Sequence, residues 1–454
     1  MSGSVPRKYQ ARSAAAFVGS ILAVSLSLLP HQNLSASPKA SDAATSAFSK
    51  TDRESSLQLI KDALTEGYFD RTKLSLVLQK IEAAARSGRY ETTDPRTFAQ
   101  LLTADMQMVT GDTHLYLNFQ PEWYRATLTP PSPNSISLEN AADVKHSRDF
   151  HHGLTEMKTL PGNVRYLRIV GFFWVAGETV NVMDGAMRFL KGGRAIIIDL
   201  RSNRGGETNA AHYLLSHFFE PDKLMLTMLS TGKADVQVRA SPYLKSTRLK
   251  GIPLYVLVNK RSRSAAEAVA YTVKQFKLGE VVGERTEGAA HFSEDAAIAP
   301  FYRLSVPSGR TEDPISHTDW EGTGVAPTIA STSLEALDVA YASSLKRLIA
   351  SATDPEEKNF LVWAHDGLAA KTTELVPHRA QLSSFTGKYG AASIVQREDG
   401  LWYITPSGAE KKLKPLGKAN LFEDEEDDTL RVSIGADALD VLRPIPELNQ
   451  HFAR

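Results

Sequence analysis

Ser264 is the residue of this chain best placed to act as a nucleophile. It ends the turn Asn259-Lys-Arg-Ser-Arg-Ser264 and is followed at once by the helical run Ala265-Ala-Glu267-Ala-Val-Ala-Tyr-Thr-Val273. The turn follows the apolar run Ile252-Pro-Leu-Tyr-Val-Leu-Val258, which reads as a buried strand. A serine at such a strand-to-helix turn stands beside helix N–H groups that have no intrahelical acceptor and carry partial positive charge. An oxyanion forming beside Ser264 would meet donors already in place, which is what acyl transfer requires. The same Ser264-Ala-Ala-Glu267 pattern is also a capping box, so the local sequence serves helix capping as readily as catalysis.

A second strand-turn-helix unit lies upstream. Arg194-Ala-Ile-Ile-Ile-Asp-Leu200 is followed by Arg201-Ser-Asn-Arg-Gly-Gly206 and a helical run from Asn209 to Phe219. In α/β sheets ligands collect beyond the carboxyl ends of the strands, where both turns would point. The Gly205-Gly206 backbone could there approach whatever Ser264 attacks, or simply serve a tight βα turn.

Four motifs in this order, Ile-Asp-Leu-Arg-Ser-Asn-Arg-Gly-Gly206, Leu-Val-Asn-Lys-Arg-Ser-Arg-Ser264-Ala-Ala-Glu, Val-Val-Gly283-Glu-Arg-Thr-Glu-Gly288 and Trp320-Glu321-Gly-Thr-Gly324-Val325-Ala-Pro327, resemble the C-terminal processing (tail-specific) serine protease superfamily. They cover about 130 residues. Processing proteases proper take their base from a lysine 25 positions after the nucleophile, and that position is Ala289. The other branch, with the tricorn core and the repeats of interphotoreceptor retinoid-binding protein, uses a histidine from an earlier segment, and Gly111-Asp112-Thr113-His114-Leu115 is similar to its motif. The resemblance implies Ser264 as nucleophile, His114 as general base, Thr113 as a hydroxyl relay to Glu321, and an oxyanion hole from the N–H groups of Gly206 and Ala265. Thr113 departs from the serine of the tricorn pattern but keeps the hydroxyl. A base of this kind takes the serine proton and returns it to the leaving amine once a third group fixes its tautomer.

Other candidates read as structural. Ser262 comes too early to sit at the cap, and His317 is the next candidate base because it shortly precedes Glu321. His146 and His151-His152 lie among Lys145, Arg148 and Asp149 and read as an exposed loop without metal-ligand spacing. The run Glu423-Asp-Glu-Glu-Asp-Asp428 lacks the alternation of a calcium loop and reads as a solvated turn. No metal and no cofactor is expected.

The elements that must position these residues follow from periodicity. Residues 45–125 read as a helical N-terminal region on Leu57, Ile60, Leu64, Leu74, Leu76, Val77 and Ile81, delivering the loop that bears His114. Residues 126–160, with Thr129-Pro-Pro-Ser-Pro-Asn134, read as a linker too short for a PDZ insertion. Strands alternate with helices over 161–350, as a parallel-sheet α/β core of Clp protease/crotonase-like type requires. Residues 380–446 carry short alternating runs such as Leu401-Trp-Tyr-Ile404 and read as a small antiparallel β domain, either a packing module or a substrate-selecting rim.

Residues 1–36 read as a signal peptide: Arg7, Lys8 and Arg12 precede an apolar run from Ala14 to Leu29, and Leu34-Ser-Ala36 suits cleavage. The expectation is a periplasmic or extracellular protein, or a membrane-anchored one if the segment is not cleaved. The chain has no cysteine and hence no disulfides. Its 52 basic and 52 acidic residues balance, and removal of residues 1–36 takes only three basic ones, so no nucleic-acid surface is indicated. The expected function is that of a secreted serine peptidase acting on short or unfolded peptides. The alternatives are a binding protein for an apolar ligand on the same fold, which would not need Ser264, His114 and Glu321 together, and a hydratase on the related crotonase fold, which needs no serine nucleophile.

Overall fold

The computed structural model describes residues 48–128, 143–246, 248–372, 382–417 and 420–454. The signal-peptide expectation and Thr129-Pro-Pro-Ser-Pro-Asn134 lie outside the described residues.

Three helices open the fold: α1 (Lys50–Gly67), α2 (Arg71–Arg86) and α3 (Pro95–Thr110). Each starts at a polar cap. Ser49, Asp70 and Asp94 accept first-turn N–H groups, and Pro95 fits the first turn of α3, where its missing N–H costs nothing. One face of α3 buries Phe98, Leu102 and Met106 in a cluster that also holds Leu115, Leu117, Tyr302 and Leu304. At roughly 1.5–3 kcal/mol for each large apolar side chain, this seam fixes the end of α3 against the sheet below it. Gly111 ends the helix in the left-handed region at φ 69°. The chain then turns through Asp112, Thr113 and His114 into strand β1 (Tyr116–Phe119), which is followed by α4 (Pro121–Leu128).

The core is a six-stranded sheet ordered β11-β8-β7-β4-β3-β2. It comprises β2 (Leu154–Leu160), β3 (Val164–Ile169), β4 (Ala195–Asp199), β7 (Leu254–Val258), β8 (Glu280–Gly283) and β11 (Ile329–Ala330). All neighbours are parallel except the antiparallel edge pair β2 and β3. Residues 154–160 were expected in the linker; they pair instead with β3 and extend the sheet. Both faces are covered, so β4 and β7 are apolar at every position but Asp199, with side chains alternating between two clusters. Ile196, Ile198, Val256 and Val258 join the cluster beneath α5 (Ala176–Lys191), α6 (Thr208–Ser216) and α7 (Ala265–Gln275). Ala195, Ile197, Tyr255 and Leu257 join the one beneath α8 (Ala336–Ser351) and α9 (Pro355–Thr372).

A second sheet holds β1, β5 (Leu224–Ser230), β6 (Val236–Arg239), β9 (His291–Ile298) and β10 (Tyr302–Glu312). The long β10 pairs with β1, β9 and β5. It thereby ties the N-terminal helical region to the chain that leaves β8. The C-terminal region is an eight-stranded antiparallel meander from Gly387–Tyr389 to Gln450–Ala453. The protein thus has the expected α/β parallel-sheet core, helical N-terminal region and antiparallel β domain.

Two surface expectations need correction. Glu423 and Asp424 are buried in a strand, not solvated: Arg431 donates to Glu423 at 3.0 Å and Lys411 lies 2.8 Å from Asp424. His152 is buried as well, with Nδ1 2.9 Å from the hydroxyls of both Ser147 and Thr179, so it belongs to the interior and not to an exposed loop.

Candidate active site

Ser264 sits at φ 52° and ψ −119°, a strained backbone for a residue with a β-carbon, between β7 and α7. Such strain persists only where the surroundings fix it, and here two turns are stitched together. Arg263 N–H donates to Asn203 O at 3.0 Å, and Asn203 Oδ1 accepts from Gly205 N–H at 2.8 Å. Ser262 is buried and donates to Leu200 O at 2.8 Å, while its hydroxyl oxygen accepts from Asn259 N–H at 3.0 Å. That explains Ser262 as a structural residue.

The two glycines of the neighbouring turn are needed for close approach. A β-carbon on Gly205 would fall 2.8 Å from Ser264 Cβ and 3.0 Å from Ala265 N. One on Gly206, at φ 125°, would fall 2.2 Å from Phe172 O. The main chain at Gly205 thus packs directly on the Ser264 turn, and that at Gly206 on Phe172. Ala265 N–H heads α7 and Gly206 N–H lies in the adjoining turn, and neither donates to a described acceptor. Both N–H groups are available to an oxyanion.

Glu267, the third residue of α7, is completely buried. Its Oε2 accepts from the N–H groups of Ser264 at 2.9 Å and Ala289 at 2.8 Å. Oε1 accepts from Gly288 N–H at 2.7 Å and the Thr286 hydroxyl at 2.5 Å. Burial pushes its pKa up, against these four donors, which favour the carboxylate. The capping box is present, and its acid does more than cap: it joins the Ser264 turn to the segment leading from β8 into β9.

That segment carries the polar centre of the site. Glu321 Oε2 accepts from Ala290 N–H at 2.6 Å and His291 N–H at 3.0 Å. His291 Nδ1 lies 2.6 Å from Asp112 Oδ2 and 3.8 Å from Glu321 Oε2. Asp112 is buried and its Oδ1 accepts from the His114 N–H at 2.8 Å, with His114 Nδ1 3.7 Å away. Burial works to raise the pKa of Asp112, but the His114 and His291 imidazoles outweigh it and hold the carboxyl well below its usual range. His291 is shifted the other way: burial lowers its pKa, and the hydrogen bond to Asp112 with the charges of Glu321 and Asp112 raises it on balance.

Hydrogen bonds thus tie the Ser264 turn through Glu267 to Gly288 and Ala289, and tie His114 through Asp112 and His291 to the segment that Glu321 holds at Ala290 and His291. Among the described residues no hydrogen bond joins His114 to Ser264. Thr113 is exposed and its hydroxyl makes no described hydrogen bond, so the relay to Glu321 is not formed; Asp112 faces the imidazole in its place. His317 is largely exposed and lies 3.5 Å from Glu312, away from this network. Asp112 and His291 were not anticipated as site residues. The available signals were Asp112 two residues before His114 and a histidine two residues beyond Ala289, the position where lysine was sought. Asp112, His291 and Glu321 also place one ligand atom each within 4.8 Å of one another. The hydrogen bonds above account for that grouping without a metal.

Residues 163–331 match the family described as Peptidase family S41. Among similar proteins, the chloroplastic carboxyl-terminal-processing peptidase 2 of Arabidopsis thaliana is 28% identical over 176 residues, covering 37% of this chain and 33% of that protein. A probable CtpA-like serine protease of Staphylococcus epidermidis is 29% identical over 147 residues, covering 32% and 29%. The match thus spans about a third of the length of these relatives. Among solved structures, a lipoprotein from Streptococcus agalactiae gives a TM-score of 0.46 at 14% identity over 66% of this chain and 97% of that one. The photosystem II D1 C-terminal processing protease gives 0.42 at 14% identity over 64% and 97%. Residues 163–331 are thus similar to Peptidase family S41, and the relatives matched include carboxyl-terminal-processing peptidases, the group whose motifs the sequence resembles.

Proposed function

We propose that this protein is a secreted serine peptidase that hydrolyses short or unfolded peptides through an acyl-enzyme on Ser264. The observation that carries this reading is the strained Ser264 backbone at the head of α7, with the Gly205 main chain packed against it. A turn built only to cap a helix needs neither the positive φ nor a neighbour so close that a β-carbon is excluded.

In this reading the Ser264 hydroxyl attacks the peptide carbonyl while His114 takes its proton. The oxyanion is met by the N–H groups of Gly206 and Ala265. His114 then returns the proton to the leaving amine, and a water activated by the same imidazole releases the acid. Glu321 holds the β9 entry through the Ala290 and His291 amides, and its negative charge favours the imidazolium. We place the mature protein in the periplasm or outside the cell, on the N-terminal pattern of residues 1–36. No described helix is long and apolar enough to cross a membrane.

Digestion of a peptide library by the wild type, Ser264→Ala and His114→Ala proteins tests the reading. Cleavage by the wild type and its loss from both folded variants are expected. Equal cleavage by Ser264→Ala would end it.

A further inference from the structure

We infer that Asp112 and His291 are positioning residues of this centre: Asp112 is the carboxylate that orients the His114 imidazole, and His291 is a fixed cation that locks Asp112 in place and offsets one of the two carboxylates beside the base. The inference rests on the reading of His114 as the base and adds two residues to which neither the motifs nor the expected Thr113 relay gave a role.

Three features of the geometry point to it. First, Asp112 has one oxygen on each imidazole: Oδ2 is 2.6 Å from His291 Nδ1, and Oδ1 is 3.7 Å from His114 Nδ1 while accepting the His114 main-chain N–H at 2.8 Å. Asp112 is itself anchored, since its N–H donates to the Thr110 hydroxyl at 3.1 Å. Second, among the described residues His114 Nδ1 and Glu321 Oε1 are buried without a hydrogen-bond partner. A small advance of the His114 ring would give its Nδ1–H a bond to Asp112 Oδ1, the contact that selects the tautomer with a free Nε2. Third, His291 enters from a different part of the chain, on a segment that Glu267 fastens to the Ser264 N–H and Glu321 fastens to the β9 entry. Its position is set by the same frame as the nucleophile.

The charges around His291 define its role. Asp112 faces it from the turn after α3, and Glu321 and Asp319 from the loop before β11. Tyr68, at the end of α1, lies near Asp112, Asp70 and Glu321, and the Phe69 ring beside it stands 6.1 Å from the His291 ring. Asp319 is engaged by Arg310 at 3.3 Å. Asp112 and Glu321 therefore contribute two negative charges close to one cation, His291. The remaining negative charge suits an imidazolium that forms on His114 during attack and disappears afterwards.

The test is the pH dependence of kcat and kcat/KM for the wild type, His291→Gln, His291→Lys and Asp112→Asn. Removing the cation in His291→Gln leaves both carboxylates acting on His114, so the acid limb should move to higher pH by about one unit. His291→Lys keeps a cation and should return the limb towards its wild-type position even where kcat stays low. Asp112→Asn removes a negative charge and should move the limb the opposite way, with a fall in kcat. A packing role for His291 would lower kcat or stability without these opposed shifts. A limb that stays put in folded His291→Gln would overturn the inference while leaving Ser264 and His114 intact. Should Asp112→Asn fail to fold, the two His291 variants carry the test. Retained turnover in His114→Ala would instead overturn the base assignment, a separate result.

Discussion

Replacing Glu267 by glutamine should weaken the fold and loosen the Ser264 turn together. The carboxylate accepts four hydrogen bonds, two on each oxygen. Glutamine keeps one oxygen for the Ser264 and Ala289 N–H groups and can donate its NH2 to the Thr286 hydroxyl, so the Gly288 bond is lost and the other three pass from charged to neutral. At about 1.5–3 kcal/mol for a hydrogen bond to a charged group and about 0.5–1.5 for a neutral one, that costs roughly 4–7 kcal/mol. The glutamine also avoids the burial of a charge, a penalty visible in the upward push on the Glu267 pKa. A net loss of about 2–4 kcal/mol remains. It should appear in urea denaturation as a lower midpoint at unchanged m value. The Ser264 N–H and the Gly288-Ala289 segment lose their anchor in the same variant, so kcat should fall on the order of 10²-fold. A variant less than about 1 kcal/mol weaker than the wild type, with normal turnover, would refute the argument that this carboxylate holds the site.

Other expectations follow from the same contacts. Gly205→Ala should lose nearly all activity, since its β-carbon would lie 2.8 Å from Ser264 Cβ, and a kcat within tenfold of wild type would contradict that packing. Ser262→Ala should be destabilised by about 1–3 kcal/mol through loss of its buried hydrogen bonds yet still react at Ser264, as peptide mapping after inhibitor labelling can check. Thr113→Val should stay within about twofold of wild-type kcat because its hydroxyl is unengaged, whereas a large loss would restore the relay. Asp112, whose folded-state pKa is depressed, contributes stability above its ordinary value of 3.8 that is lost as the pH falls through the folded-state value. The stability gap between the wild type and Asp112→Asn should therefore be widest near neutrality and shrink under acid. A gap that is constant or widens on acidification would contradict the sign of the shift.

The Ser264 turn was legible because it is local. Apolar runs, a polar turn, paired glycines and a serine at a helix start lie within short windows, and their periods fix the strands and helices around Ser264 and Gly206. Asp112 and His291 were not legible for the opposite reason: their contact spans 179 positions and depends on β10 pairing with both β1 and β9. Only that register brings the turn after α3 to the start of β9. The same limit explains β2, a partly polar edge strand whose identity comes from its pairing with β3 and not from its own pattern. It also explains Glu423 and Asp424, acidic residues held in a strand interior by Arg431 and Lys411 from neighbouring strands.

The central claim is that Ser264 is a nucleophile activated by His114. Treatment with a serine-reactive fluorophosphonate, followed by intact-mass and peptide mass spectrometry, measures it most directly. A single adduct on the peptide containing Ser264, none on Ser264→Ala, and a markedly slower reaction of His114→Ala are expected. An adduct formed equally well on Ser264→Ala, or a wild-type adduct mapped to another residue, would contradict it.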